Sequence, residues 1–69
     1  MLVMLTDLEG ALFWINPDYV VRVEAPAPDL KEHEPKVQSL IKLHDGEYLY
    51  LQDNPPTVAL RLNRGFFNE

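Results

Sequence analysis

The sequence predicts an α+β fold in which β dominates: a small five-stranded antiparallel meander or half-barrel with one short C-terminal helix. Three observations point there. Apolar runs of about five residues recur along the chain between turn-forming residues, a length that suits strands and is too short for free-standing helices. Asp45-Gly46 lies between two aliphatic and aromatic runs and is the strongest short-range hairpin signal present. From Asp53 to Gly65 the chain carries a cap, prolines, an apolar stripe and a terminating glycine, which bracket a helix.

Met1 to Leu5 reads as the first strand, a buried apolar run. Thr6 to Gly10 is a polar connector whose glycine accepts a positive φ, and Ala11 to Ile15 is an aromatic, β-branched second strand forming a hairpin with the first. Asn16-Pro17-Asp18 is turn chemistry. The third strand, Tyr19 to Glu24, alternates, with Tyr19, Val21 and Val23 on one side and Val20, Arg22 and Glu24 on the other. Ala25 to Pro35 is a Pro- and Glu-rich loop with three of the six prolines, and its composition favours an extended, mobile segment.

Val37 to His44 and Glu47 to Gln52 then form the second hairpin. A two-residue type I′ turn at Asp45-Gly46 sets Leu43 opposite Tyr48, Ile41 opposite Tyr50 and Leu40 opposite Leu51. In that register both faces are apolar: Ile41, Leu43, Tyr48 and Tyr50 on one, Leu40, Leu49 and Leu51 with Lys42 on the other. The second face then needs a cover. The helix, Pro55 to Arg64, offers Val58, Ala59 and Leu62 as its buried stripe and ends at Gly65 in the left-handed conformation. Phe66 and Phe67 follow, and should pack on the sheet or on another subunit.

With 69 residues the chain is a single domain, 1–69, near the lower limit for a core without disulfide or metal. It contains no cysteine, which excludes a disulfide framework and makes a structural zinc site improbable with two His alone. Eleven carboxylates against six Lys and Arg give a net charge of −5, the wrong sign for phosphate backbones. Nucleic acid is therefore disfavoured as a partner, and Tyr48 and Tyr50 have only Lys42 as a cation on their hairpin. No basic leader precedes the first apolar run and no run approaches the 18 to 20 residues of a membrane span, so a cytoplasmic protein without membrane insertion is expected.

Chemistry-bearing groups are sparse. Glu32-His33-Glu34 places neighbouring side chains apart and has no second His close by, so it reads as a solvated charge cluster. His44 reads as a surface partner of Glu47. Ser39, Thr6 and Thr57 lack a nucleophile motif, and three scattered glycines form no phosphate-binding loop. The expectation is a non-enzyme without cofactor. Phe13 and Trp14, adjacent on a strand, point to opposite faces, so one leaves the core. The expected interface is Trp14, Leu40, Leu49, Leu51, Phe66 and Phe67, serving a protein partner or self-association.

Leu5, Thr6, Leu8 and Gly10, then Ile15-Asn16-Pro17-Asp18, a Val-rich strand ending in Glu24, a strand closing on Asp45-Gly46 and an aromatic strand leading to a helix together resemble the small FlbD-like flagellar proteins. The resemblance spans roughly residues 4 to 62. It implies a bacterial cytoplasmic accessory or regulatory factor for flagellar motility, with no catalytic residues to carry over. The long Ala25–Pro35 loop and Asn54-Pro55-Pro56 depart from that pattern. The reading is thus a small acidic protein-interaction or regulatory module. The alternative is a phage or mobile-element protein that binds a host enzyme or takes part in a particle.

Overall fold

The computed structural model describes the backbone of residues 1–67 and the side-chain surroundings of residues 1–63. Its elements are β1 (Val3–Thr6), β2 (Leu12–Ile15), a 3₁₀ turn (Pro17–Tyr19), β3 (Val20–Glu24), α1 (Pro28–His33), β4 (Ser39–Leu43), β5 (Tyr48–Leu51) and α2 (Pro55–Phe67). The α+β, mainly β class and the five antiparallel strands with a C-terminal helix are as the sequence predicts. The strands form two sheets, β1-β2 and β3-β4-β5. A continuous meander would pair β2 with β3. Instead the other edge of β1 meets β5, through an antiparallel bridge between Asp7 and Leu51 and a bond from Gln52 N–H to Thr6 O at 3.0 Å. The strand sequence in space is therefore β2, β1, β5, β4, β3, curled and open between β2 and β3.

Both hairpins close through the same three-residue loop. In the first, Asp7 N–H donates to Ala11 O at 2.9 Å, Gly10 N–H to Asp7 O at 3.0 Å, and Gly10 has φ +84°. In the second, Leu43 N–H donates to Glu47 O at 2.8 Å, Gly46 N–H to Leu43 O at 2.9 Å, and Gly46 has φ +92°. This is a type I turn followed by a left-handed glycine, the three-residue alternative to the two-residue turn. An aspartate side chain braces each: Asp7 Oδ1 accepts from Glu9 N–H and Ala11 N–H, and Asp45 Oδ1 from Glu47 N–H.

The extra loop residue corrects the expected register by one. Ser39 lies opposite Leu51, Ile41 opposite Leu49, Leu40 opposite Tyr50 and Lys42 opposite Tyr48. A one-residue slip moves every side chain of one strand to the other face. Hence Ser39, Ile41 and Leu43 share the inner face with Leu49 and Leu51, while Leu40, Lys42, Tyr48 and Tyr50 share the outer one. The hairpin has one core face and one wet face, and the second apolar face expected from the sequence does not exist. His44, placed in the loop, does not face Glu47 across a ladder; its N–H donates to Tyr19 O at 2.9 Å.

Three further boundaries differ. In β3 the pairing shifts between Val20 and Arg22, so Val21 is a bulged residue; Val20 and Val23 both pack on the core while Val21 is exposed. The Ala25–Pro35 segment contains the helix α1. Pro28 occupies its first turn, where the absent N–H costs nothing, and Lys31 Nζ ties it to Val37 O at 2.8 Å. Finally, α2 continues through Gly65 to Phe67 rather than ending at Arg64.

One core joins both sheets and α2: Val3 and Leu5, Ile41 and Leu43, Leu51, Val58 and Leu62, flanked by Phe13, Ile15, Val20, Val23 and Leu49. Asn54 caps α2, its Oδ1 accepting from Thr57 N–H at 2.9 Å. Asp53, the residue before it, is the knot between the sheets. Its Oδ2 accepts from Thr6 N–H at 2.7 Å, its Oδ1 lies 3.5 Å from Arg61 Nη1, and its main-chain oxygen accepts from the buried Ser39 hydroxyl at 2.7 Å.

Candidate interaction surface

Alternation along β1 sends Val3 and Leu5 into the core and turns Met4 and Thr6 outward, opposite Trp14 and Leu12 of β2. The chain entering β1 adds Leu2. The outer face of this hairpin therefore presents Leu2, Leu12 and Trp14, exposed by 56%, 60% and 62%. A shallow groove runs beside Trp14, lined by Leu2, Val3, Met4 and Arg61. Arg61 is held there by its bond to Met4 O at 3.0 Å, so the groove has an apolar wall and a fixed guanidinium. The aromatic ring is carried on a strand locked at both ends, by the Asp7 loop and by Asn16, whose Oδ1 accepts from Asp18 N–H at 3.0 Å. Docking against it would sacrifice little conformational freedom.

The outer face of the three-stranded sheet is different in kind. Arg22 and Glu24, Leu40 and Lys42, and Tyr48 and Tyr50 lie across it. Arg22 Nε contacts Glu24 Oε2 at 3.0 Å, and the Tyr48 hydroxyl donates to the same oxygen at 3.2 Å. The stacking surface that the sequence discounts because Lys42 is the one cation on the Tyr48–Tyr50 hairpin gains Arg22, which β3 sets opposite Lys42. Glu24 answers the arginine and engages one tyrosine, so this face is largely satisfied within itself.

The residues expected at an interface are thus dispersed. Trp14 is exposed as required. Leu51 is fully buried in the core, Leu49 packs against that core half-buried, and Leu40 is half-buried on the wet face; the register slip is the reason. The Phe66 and Phe67 side chains lie outside the described residues. Leu2 and Leu12 were missed, although the i, i+2 spacing of Leu2, Met4 and Thr6 and of Leu12 and Trp14 carried the signal. His33 lies in α1, its Nδ1 2.9 Å from Asp29 O, and among the described residues no three of His, Asp and Glu converge. No described helix is long and apolar enough to cross a membrane. Compared with known proteins, the chain matches no family model, no curated protein and no solved structure.

Proposed function

We propose that this chain is a non-catalytic protein-interaction module, regulatory in role, that docks through the outer face of the β1-β2 hairpin. The observation that carries the proposal is the Trp14 side chain, 62% exposed beside Leu12 and Leu2 on a strand with no charged residue. Large apolar side chains gathered on a rigid surface mark contact sites, and Trp is the residue most enriched at their centres. The proposal places the module in bacterial flagellar motility on the resemblance alone. The structure gives the segments that carry it work as turns: Leu8-Glu9-Gly10 is the first hairpin loop, and Asn16-Pro17-Asp18 caps and opens the 3₁₀ turn.

A photo-crosslinking residue at position 14, introduced in the native host, tests the reading. The expected result is a discrete protein adduct at that position and none at Glu32, which is exposed on α1. Absence of any adduct at position 14, the chain's own copies included, refutes it.

A further inference from the structure

We infer that β2 is a dimerisation strand: it pairs antiparallel with β2 of a second copy, Leu12 opposite Trp14, about a two-fold axis at Phe13. This rests on the interaction-module reading and names its partner.

The first step is the orientation of the β2 main chain. On β1, Met4 O accepts from Arg61, while Thr6 N–H donates to Asp53 and Thr6 O accepts from Gln52 N–H. These groups point away from β2, so the Met4–Trp14 and Thr6–Leu12 pairs are the non-hydrogen-bonded ones of the ladder. The N–H and C=O of Leu12 and Trp14 consequently point out of the sheet on the far side, where β2 has no strand partner among the described residues.

The second step is the comparison of the fold's two open edges. The β3 edge carries the Val21 bulge and the charges of Arg22 and Glu24, devices that discourage strand addition. The β2 edge, Leu-Phe-Trp-Ile, has neither bulge, charge nor proline. Its outward groups are donor and acceptor at Leu12 and again at Trp14, a set that is its own complement under a two-fold axis.

The third step selects the register. Gly10 N–H is spent on Asp7 O, and Asn16 O accepts from Tyr19 N–H. Registers that centre on Leu12 or Trp14 need Gly10 or Asn16, so among the described residues only Leu12 against Trp14 uses main-chain groups with no partner in the fold. It makes four main-chain hydrogen bonds and sets each Trp14 beside the Leu12 of the other copy. Two exposed apolar side chains from each subunit then cover one another.

Because the chain has no cysteine, a single introduced thiol reports the geometry. In the inferred dimer the two Phe13 form a non-hydrogen-bonded pair with Cα atoms about 4.5 Å apart, within the range a disulfide spans. The two Leu12 are offset by two residues and separated by about 8 Å, beyond it. Mild oxidation of Phe13→Cys should give a covalent dimer and Leu12→Cys should not. In parallel, sedimentation equilibrium of the unaltered chain across the micromolar range should show a monomer–dimer equilibrium. Leu12→Pro removes one outward N–H per copy without touching the β1 ladder, and should weaken that equilibrium on the order of tenfold to a hundredfold. A chain that stays monomeric overturns the inference, while crosslinking from position 14 to a different protein would leave the interaction reading standing. A dimer that is indifferent to Leu12→Pro, or that crosslinks through Leu12→Cys in place of Phe13→Cys, overturns it equally.

Discussion

Asp53→Ala should cost this protein a large part of its stability. The side chain is 12% exposed and stands where β1, β5 and α2 meet. Alanine strands the Thr6 N–H, which now donates at 2.7 Å to a carboxylate; a hydrogen bond to a charged group contributes about 1.5–3 kcal/mol. The Arg61 contact, at 3.5 Å with the arginine 40% exposed, adds at most about 1 kcal/mol after solvent screening. Arg61 keeps Met4 O, so its loss is partial. The sum is about 1.5–4 kcal/mol, in a 69-residue domain whose total is on the order of 3–10 kcal/mol. Urea unfolding followed by circular dichroism, at unchanged m, measures it directly, and the melting temperature should fall by about 6–32 °C. Asp53→Asn retains an oxygen for Thr6 and should lose less than half as much. An Asp53→Ala loss under about 0.5 kcal/mol would show that the carboxylate does not hold the two sheets together.

The hairpin register predicts that Leu51→Ala costs about 2–5 kcal/mol and Leu40→Ala less than about 1, since only Leu51 faces the core; equal costs in urea titrations would restore the two-residue turn. At Gly46 a Cβ would meet no atom within 4 Å, so the cost of Gly46→Ala is that of the left-handed backbone alone, about 1–2 kcal/mol. A chemically synthesised chain with D-alanine there should melt at or above the temperature of the unaltered protein, and a lower melting point would point to crowding instead.

The fold was legible where composition decides conformation. Asn16-Pro17, Asn54-Pro55 and the stripe of Val58 and Leu62 each name their element, and the structure places them there. The misreadings share a cause, which is that one residue of offset is invisible to propensity. Asp45-Gly46 serves a two-residue or a three-residue loop equally well, and the choice decides whether Leu40 and Leu51 share a face or, as here, stand on opposite ones with only Leu51 in the core. The Val21 bulge is likewise a two-against-one count that Val-Val-Arg-Val cannot declare. Pro28 suggested loop because proline breaks helices from within, yet at the first turn it starts one. At the candidate site Trp14 was readable from the conflict between adjacent aromatics, whereas the free edge of β2 was not. That edge depends on β1 turning its other side to Gln52, Asp53 and Arg61, residues that lie far along the chain.

The clamp on β1 also sets a clock. Thr6 waits for Asp53, 47 residues later, and Met4 waits for Arg61, 57 residues later. At a ribosomal pace of about 5–20 residues per second, roughly 3–11 s separate the synthesis of Met4 from that of its partner. From the completion of β2 until β5 is made, the first hairpin is a lone two-stranded ribbon, a species that is only marginally stable in water. Docking of the last helix is thus the event that completes the earliest strand, and until it occurs nascent chains on neighbouring ribosomes would carry the core-facing Phe13 and Ile15 uncovered as well as the outward Leu12 and Trp14.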